Sequence, residues 1–448
     1  MIGPRFKLAA LASALLVFSV PFPLHAEDLI EVLRLGQEND ARWASARASR
    51  EAGVEKEKQG SAGLLPVINL TANHTSSNSE ILYHGTTPFS SGDRNYDTTD
   101  FGVNITHPLY RRQNYAAYQQ SVTQVALSDE QLNLARTDLM LRVASAYLEQ
   151  LYAQDSVGLS IAEIDALSEQ LGQAKAQFDA GVMAVTDLFD TRARHDLARA
   201  RQVAANNDLL SKQQALRRIL DRVVQNLAGI RPGVVLPTPQ PDVVETWVTR
   251  AHAHNTQVKT QIGTRRVAEW EVERARGAHY PTLDLVAGYS KNRTSGSLYT
   301  QNASNSDTLS AGVRFQMPLY SGGDTTSRVR EAVANLDKAS RDLEDTRRDV
   351  ENQCRLTYLS LANGISQIQA LEQALESNEK LLESSRLGRA AGLRTTTDVL
   401  NAQQQLFSIK RDLSKARYDY ILNYFKLKGI AGVLGEEDFV RVNALLFH

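Results

Sequence analysis

The chain has 448 residues, with 50 basic against 51 acidic side chains and a formal net charge of −1. The two signs are mixed along its length, which leaves no basic footprint, so nucleic acid is not expected as a partner. Cys354 is the one cysteine, so no disulfide is expected within the chain, and no cysteine stands near the N-terminal leader to take a lipid.

Arg5 and Lys7 precede an apolar run over residues 8–20, followed by Pro21, Pro23 and Ala26. This pattern predicts an export leader, residues 1–26, with Glu27 as the mature N-terminus. Leu24 fits the small-residue rule poorly, so the cut is placed only to within a few residues. The run falls short of the roughly 20 apolar residues a spanning helix needs, and no later segment comes close, so a membrane role would fall to β-strands.

Gly63-Leu64-Leu65-Pro66 opens the first strand pair. Ile68, Leu70 and Ala72 alternate with Asn69, Thr71 and Asn73, and Val103 and Ile105 alternate with Gly102, Asn104 and Thr106. Such alternation fits a surface sheet on a soluble core as well as it fits a membrane barrel. His107-Pro108-Leu109-Tyr110 ends the pair, and a proline-free helical pattern follows to Gly181. After residues 231–241, rich in proline, the same landmarks recur. Tyr280-Pro281 precedes alternating segments with Leu285 and Ala287, then Val313 and Phe315; Met317-Pro318-Leu319-Tyr320 closes them; Gly392 ends the next helical stretch. We read a tandem duplication, with repeats at 27–230 and 242–434, a linker at 231–241 and a short tail at 435–448.

In the second helical stretch Val329, Leu336, Leu343 and Val350 recur every seventh residue, while Val333, Cys354, Leu361, Ile368, Leu375 and Leu382 fill a companion seam. That is coiled-coil spacing, with water on the polar faces. The segments 76–98 and 291–307, rich in Ser, Thr, Asn and Tyr, read as loops. Strands of about ten residues match outer-membrane barrels, but four cannot close a barrel, so copies of the chain must combine. The fold class is therefore mostly α with a β-barrel part: a long coiled-coil helical tunnel joined to a transmembrane barrel shared between chains, internally duplicated.

The duplicated Pro-Leu-Tyr landmarks, the stretch from Ala180 through Asp187 and that from Ala391 through Ala402 resemble the outer-membrane factor family, in its TolC-like branch. The resemblance covers almost the whole mature chain. It implies a homotrimer with a twelve-stranded barrel in outer-membrane lipid and a helical duct in the periplasm. It further implies a periplasmic adaptor and an inner-membrane pump or ABC transporter, as in tripartite efflux or type I secretion. It places Thr186, Asp187 and Arg394 in a polar latch at the closed tip. Arg389 stands where relatives often have tyrosine, and the sequence leaves open whether it pairs with Asp187 or is solvated. Asp398 and Asn401, three apart on one helix face, would be rings at the lumen constriction, and a ring of Asp398 carboxyls is expected to raise its own pKa. Gly181, Val182, Gly392 and Leu393 would offer the adaptor a docking surface. The tail after Gly435 is shorter than in longer-tailed relatives and is expected to matter little.

No catalytic constellation, metal site or cofactor motif is found, so no enzyme is expected. His252 and His254 point to different helix faces, and no Gly-Lys-Ser/Thr pattern follows Gly322-Gly323. The competing reading is a periplasmic coiled-coil scaffold or adaptor that never enters a membrane.

Overall fold

The computed structural model describes residues 27–447 apart from 89, 225, 232 and 298–301; the expected leader lies outside the described residues. In chain order come α1 (Leu29–Asn39), α2 (Ala41–Ala62), β1 (Val67–Ile81), β2 (Gly92–Arg111), α3 (Arg112–Asp179) and α4 (Val185–Leu220). A second series follows: α5 (Val244–His254), α6 (Thr256–Gly277), β3 (Thr282–Thr294), β4 (Ser304–Gln316), α7 (Asp324–Ala390) and α8 (Thr396–Ile430), with α9 (Glu436–Asn443) at the end.

Local chemistry sets these boundaries. Asp40 separates α1 from α2 because its carboxylate accepts the Trp43 amide at 2.7 Å, and Asn255 separates α5 from α6 by accepting the Val258 amide at 3.0 Å; each satisfies a helix-start donor that would otherwise have no partner. With no proline inside them, α3 and α7 run 68 and 67 residues, about 100 Å at 1.5 Å per residue. The predicted seam of α7 is buried at Leu343, Val350, Cys354, Leu361, Ile368 and Leu382, whereas Val333 is exposed.

The strands form one antiparallel sheet in the order β1-β2-β3-β4. Its register sets Ile68 opposite Ile105, Leu70 opposite Val103, Ile105 opposite Ala287, Leu285 opposite Val313 and Leu283 opposite Phe315. Residues directly across share a face, so the apolar strand residues Ile68, Leu70, Val103, Ile105, Leu285, Ala287, Val313 and Phe315 lie together on one face. The strands outrun their apolar segments: β1 continues to Ile81 and β2 begins at Gly92, inside what the sequence suggested was loop. Backbone pairing needs no apolar face, and Ser, Thr and Tyr extend the hairpin in water as readily as in lipid.

The helices continue the order of the strands. Next to the sheet, α3 lies between α2 and α6, and α6 between α3 and α7; farther away, α3 lies between α4 and α8, and α8 between α3 and α7. Sheet and both helical levels are thus open rows of four, each with two free edges.

Between the levels sits the main core. Trp247, Tyr147, Phe425 and Phe439 are fully buried there, among residues of α1, α3, α5, α8 and α9. The Pro-rich linker is bound into it: the Trp247 indole donates to the Pro241 carbonyl at 2.8 Å and the Tyr420 hydroxyl to that of Pro237 at 2.8 Å. The short tail, expected to matter little, is part of this core. Phe439, Val442 and Leu446 are wholly buried, each worth about 1.5–3 kcal/mol, and the Asn443 amide oxygen accepts the Leu29 N–H at 3.1 Å. The tail thereby holds the start of α1.

Candidate functional site at the helical tips

Two helical reversals stand at the end of the chain farthest from the sheet, joining α3 to α4 and α7 to α8. Gly181 (φ +73°) and Gly392 (φ +75°) adopt the left-handed conformation. The amide that follows each turns back on the helix, from Val182 to the Gln177 carbonyl at 3.0 Å and from Leu393 to that of Gly388 at 2.8 Å. This closure satisfies the last carbonyls of α3 and α7 and requires a residue free to take positive φ. It also turns the next side chain outward: Val182 is 77% and Leu393 82% exposed.

The polar tip residues are only partly brought together. The Arg389 guanidinium donates to the Gln177 side-chain oxygen at 3.2 Å, joining α7 to α3. It does not pair with Asp187. The stem of Arg394 folds over Gly388, whose missing side chain leaves the room: a Cβ there would lie 2.8 Å from the Arg394 Cγ. Thr186 and Asp187 sit in the first turn of α4, and no hydrogen bond or ion pair joins them to Arg394 within the described residues of the chain.

Asp398 is the third helical residue of α8 and forms a capping box with Thr395. Its carboxylate accepts the Thr395 amide at 2.9 Å and the hydroxyl at 2.8 Å, while the Asp398 amide donates to that hydroxyl at 3.1 Å. The Thr395 backbone N–H, then its hydroxyl, then the charge of Arg394 hold the Asp398 carboxyl below its usual value. Within one chain this runs against the upward shift expected for a ring. Asn401 is exposed one turn farther along.

Sequence reasoning missed the polar contacts between the two hairpins. Gln170 and Gln403 are buried and hydrogen-bonded to each other, leaving the Gln170 oxygen and the Gln403 nitrogen without partners. Arg194 donates to Gln404 at 3.0 Å. Deeper along the rods the buried Glu163 receives Arg411 at 2.8 Å and Arg201 at 3.4 Å, so one carboxylate joins α3, α4 and α8. Gln, Glu and Arg fill the outer faces too, so no sequence pattern marks these few as inward.

Other candidates resolve into structure. His252 lies 3.5 Å from Glu351, and no group of three or more metal-ligating side chains occurs among the described residues. Gly322 and Gly323 take positive φ where the chain turns into α7. Among the described residues no helix is long and apolar enough to cross a membrane.

A long strand sheet with one uncovered apolar face, carried on helical hairpins about 100 Å long, defines a membrane-and-periplasm conduit class of protein. The profile of the family described as "Outer membrane efflux protein" matches residues 32–222 and 247–433. Outer membrane protein TolC of Vibrio cholerae is 32% identical over 424 residues, 94% of each chain. Alkaline protease secretion protein AprF of Pseudomonas aeruginosa is 33% identical over 93% of this chain and 86% of that one. Among solved structures, the Campylobacter jejuni CmeC outer membrane channel superposes with a TM-score of 0.79 over 94% of this chain and 89% of that one, at 16% identity, a likeness of fold. The chain belongs to the outer membrane efflux protein family, whose members are transport channels, and it is an outer-membrane exit duct for efflux or secretion.

Proposed function

We propose that three copies close into a single duct, with twelve strands, four from each chain, forming a barrel in outer-membrane lipid and the helices a periplasmic tunnel. The observation that carries this is the set of open rows. The sheet ends in unpaired edges at β1 and β4, which would template aggregation unless another copy pairs with them. The helical row next to the sheet ends at α2 and α7 and the farther one at α4 and α7, and Val203 and Leu210 of α4 and Leu356 and Leu359 of α7 are exposed. Ring closure satisfies every edge at once and buries these side chains. The apolar sheet face, bare of protein, then meets lipid.

The duct holds no energy source, so cargo is delivered by an inner-membrane pump or ABC transporter through a periplasmic adaptor. The adaptor docks on Val182 and Leu393, set outward by Gly181 and Gly392. Since Arg394 finds neither Thr186 nor Asp187 in its own chain, the latch runs between copies, with Arg394 of one chain reaching the α4 start of the next. Arg389 contributes within the chain, through Gln177. Asp398 and Asn401 line the constriction. The two series of elements, divided at the same place by Asp40 and Asn255 caps, support the tandem duplication and the repeat boundaries at 27–230 and 242–434.

Outer-membrane fractionation, the mass of the detergent-extracted particle and conductance in planar bilayers test this reading. A trimer that forms ion channels is expected. A soluble periplasmic monomer without channel activity overturns it.

A further inference from the structure

Opposite the apolar face, the sheet carries a polar face built from short uncharged side chains. Asn69, Asn104, Gly288 and Ser310 stand directly across from one another in one row; the row on its outer side is Thr71, Gly102, Ser290 and Thr308, and the row toward the helices is Val67, Thr106, Val286 and Gly312, uncharged as well. Few charges interrupt it. Arg94, near the outer hairpin end, is bonded to Ser90, and Asp100 accepts the Asn292 amide. At the helical end the register slips between Pro108 and Tyr110, and such a slip moves the following side chain to the other face. Arg111 is thereby brought onto the polar face, where it grips Asp284 with both arms of its guanidinium, at 2.8 and 2.6 Å.

Arg314 stands across from Asp284 in the β3–β4 register. Its side chain is exposed and makes no hydrogen bond or ion pair among the described residues. Asp284 is already paired with Arg111 and feels Arg314 only through space, so the three side chains together keep one net positive charge. Between the Asp284–Arg314 row and the Asn292–Asp100 row the polar face has no charge for about 27 Å of strand, close to the height of an outer-membrane apolar band.

We propose that Arg314 forms a basic collar at the tunnel-side mouth of a bore that carries no further charge for about 27 Å, and that this collar draws carboxylate- or phosphate-bearing groups into the barrel. The proposal rests on the trimeric barrel reading, since closure repeats the guanidinium around the lumen. An arginine suits the task because its fork stays charged and offers several donors to an oxyanion. Beyond it, the uncharged stretch of lining adds hydrogen-bonding groups without a competing field.

The test uses the full chain in planar bilayers, in an Asp398→Asn background so that the opposite end adds no acidic ring. The ratio of chloride to potassium permeability is read from reversal potentials in a salt gradient. Arg314→Cys should lower that ratio about two-fold or more at about 0.01 M salt, where the Debye length is about 30 Å. A cationic methanethiosulfonate reagent should restore it and an anionic one should lower it further. The only other thiol, Cys354, is fully buried and pushed up to about 11 by that burial, so it stays unreactive. Because charge is added after assembly, folding is held constant. Equal ratios in all three states, with the parent conductance, overturn the collar. Should Arg314→Cys fail to insert, the parent channel decides: its chloride preference must fade as salt rises to about 1 M, where the Debye length is about 3 Å, and a ratio independent of salt overturns the proposal. A wild-type chain that forms no channel at all overturns the barrel reading instead.

Discussion

At the tips, single substitutions test the proposed gate. If the proposed latch between copies holds the closed tip, Arg394→Ser removes charge-assisted bonds of about 1.5–3 kcal/mol each, enough to shift a closed-open equilibrium ten-fold or more, and single-channel recording should show longer openings. Unchanged gating in a normal trimer would return Arg394 to the status of a solvated residue. Asp398 has a second duty that sequence reasoning missed, because its carboxylate caps α8. A carboxyl held low in the folded chain contributes stability that is full above its usual value, near 3.8, and is lost as pH falls through the lowered one. Protection of the amides in the first turn of α8, relative to the intrinsic exchange rate at each pH, should therefore hold down to about pH 4 and fall only below it. Loss of protection beginning near neutrality would mean that a ring effect dominates the cap. Glu163 is the other exacting position. Glu163→Ala takes the shared acceptor from Arg201 and Arg411, both of which stay partly open to water, and should cost about 1–3 kcal/mol in the unfolding free energy measured with denaturant.

At the scale of elements, strand register and turn geometry make opposite demands. Val313 lies on the uncovered apolar face and Arg314 on the polar one, so Val313→Lys should lose about 2–4 kcal/mol of barrel stability while Arg314→Lys is tolerated, read as heat-resistant trimer in outer-membrane extracts. Equal yields would count against lipid contact. At the tips a Cβ on Gly181 or Gly392 would meet nothing within 4 Å, so the constraint there is the positive φ and not space. Docking is better probed one residue on. Val182→Asp and Leu393→Asp should abolish export and leave the trimer intact by mass, whereas loss of the trimer would make these side chains part of assembly. Strand alternation, the coiled-coil seam and the glycine reversals were all legible, because each is a periodic or conformational demand written in neighbouring residues. The Gln170–Gln403 contact was not, since it depends on which face another helix covers; the capping box is written locally, in Thr395-x-x-Asp398 before Val399-Leu400, and was passed over.

For the whole molecule, the core between sheet and tips governs stability. Phe439→Ala in the tail should cost about 3–5 kcal/mol and lower the thermal midpoint of the detergent-solubilised protein; an unchanged midpoint would show the tail to be dispensable, as its shortness suggested. The sequence by itself determined the element types, their repeated order, the apolar strand faces and the two glycine turns, since period, proline and glycine act through local backbone geometry. Only the tertiary structure decided that the tail and the Pro-rich linker belong to the core, that Arg394 is bonded to neither Thr186 nor Asp187 among the described residues, and that Asp284 pairs with Arg111 and not with Arg314. Each of these depends on segments far apart in sequence, brought together because the helical rows and the sheet share one order.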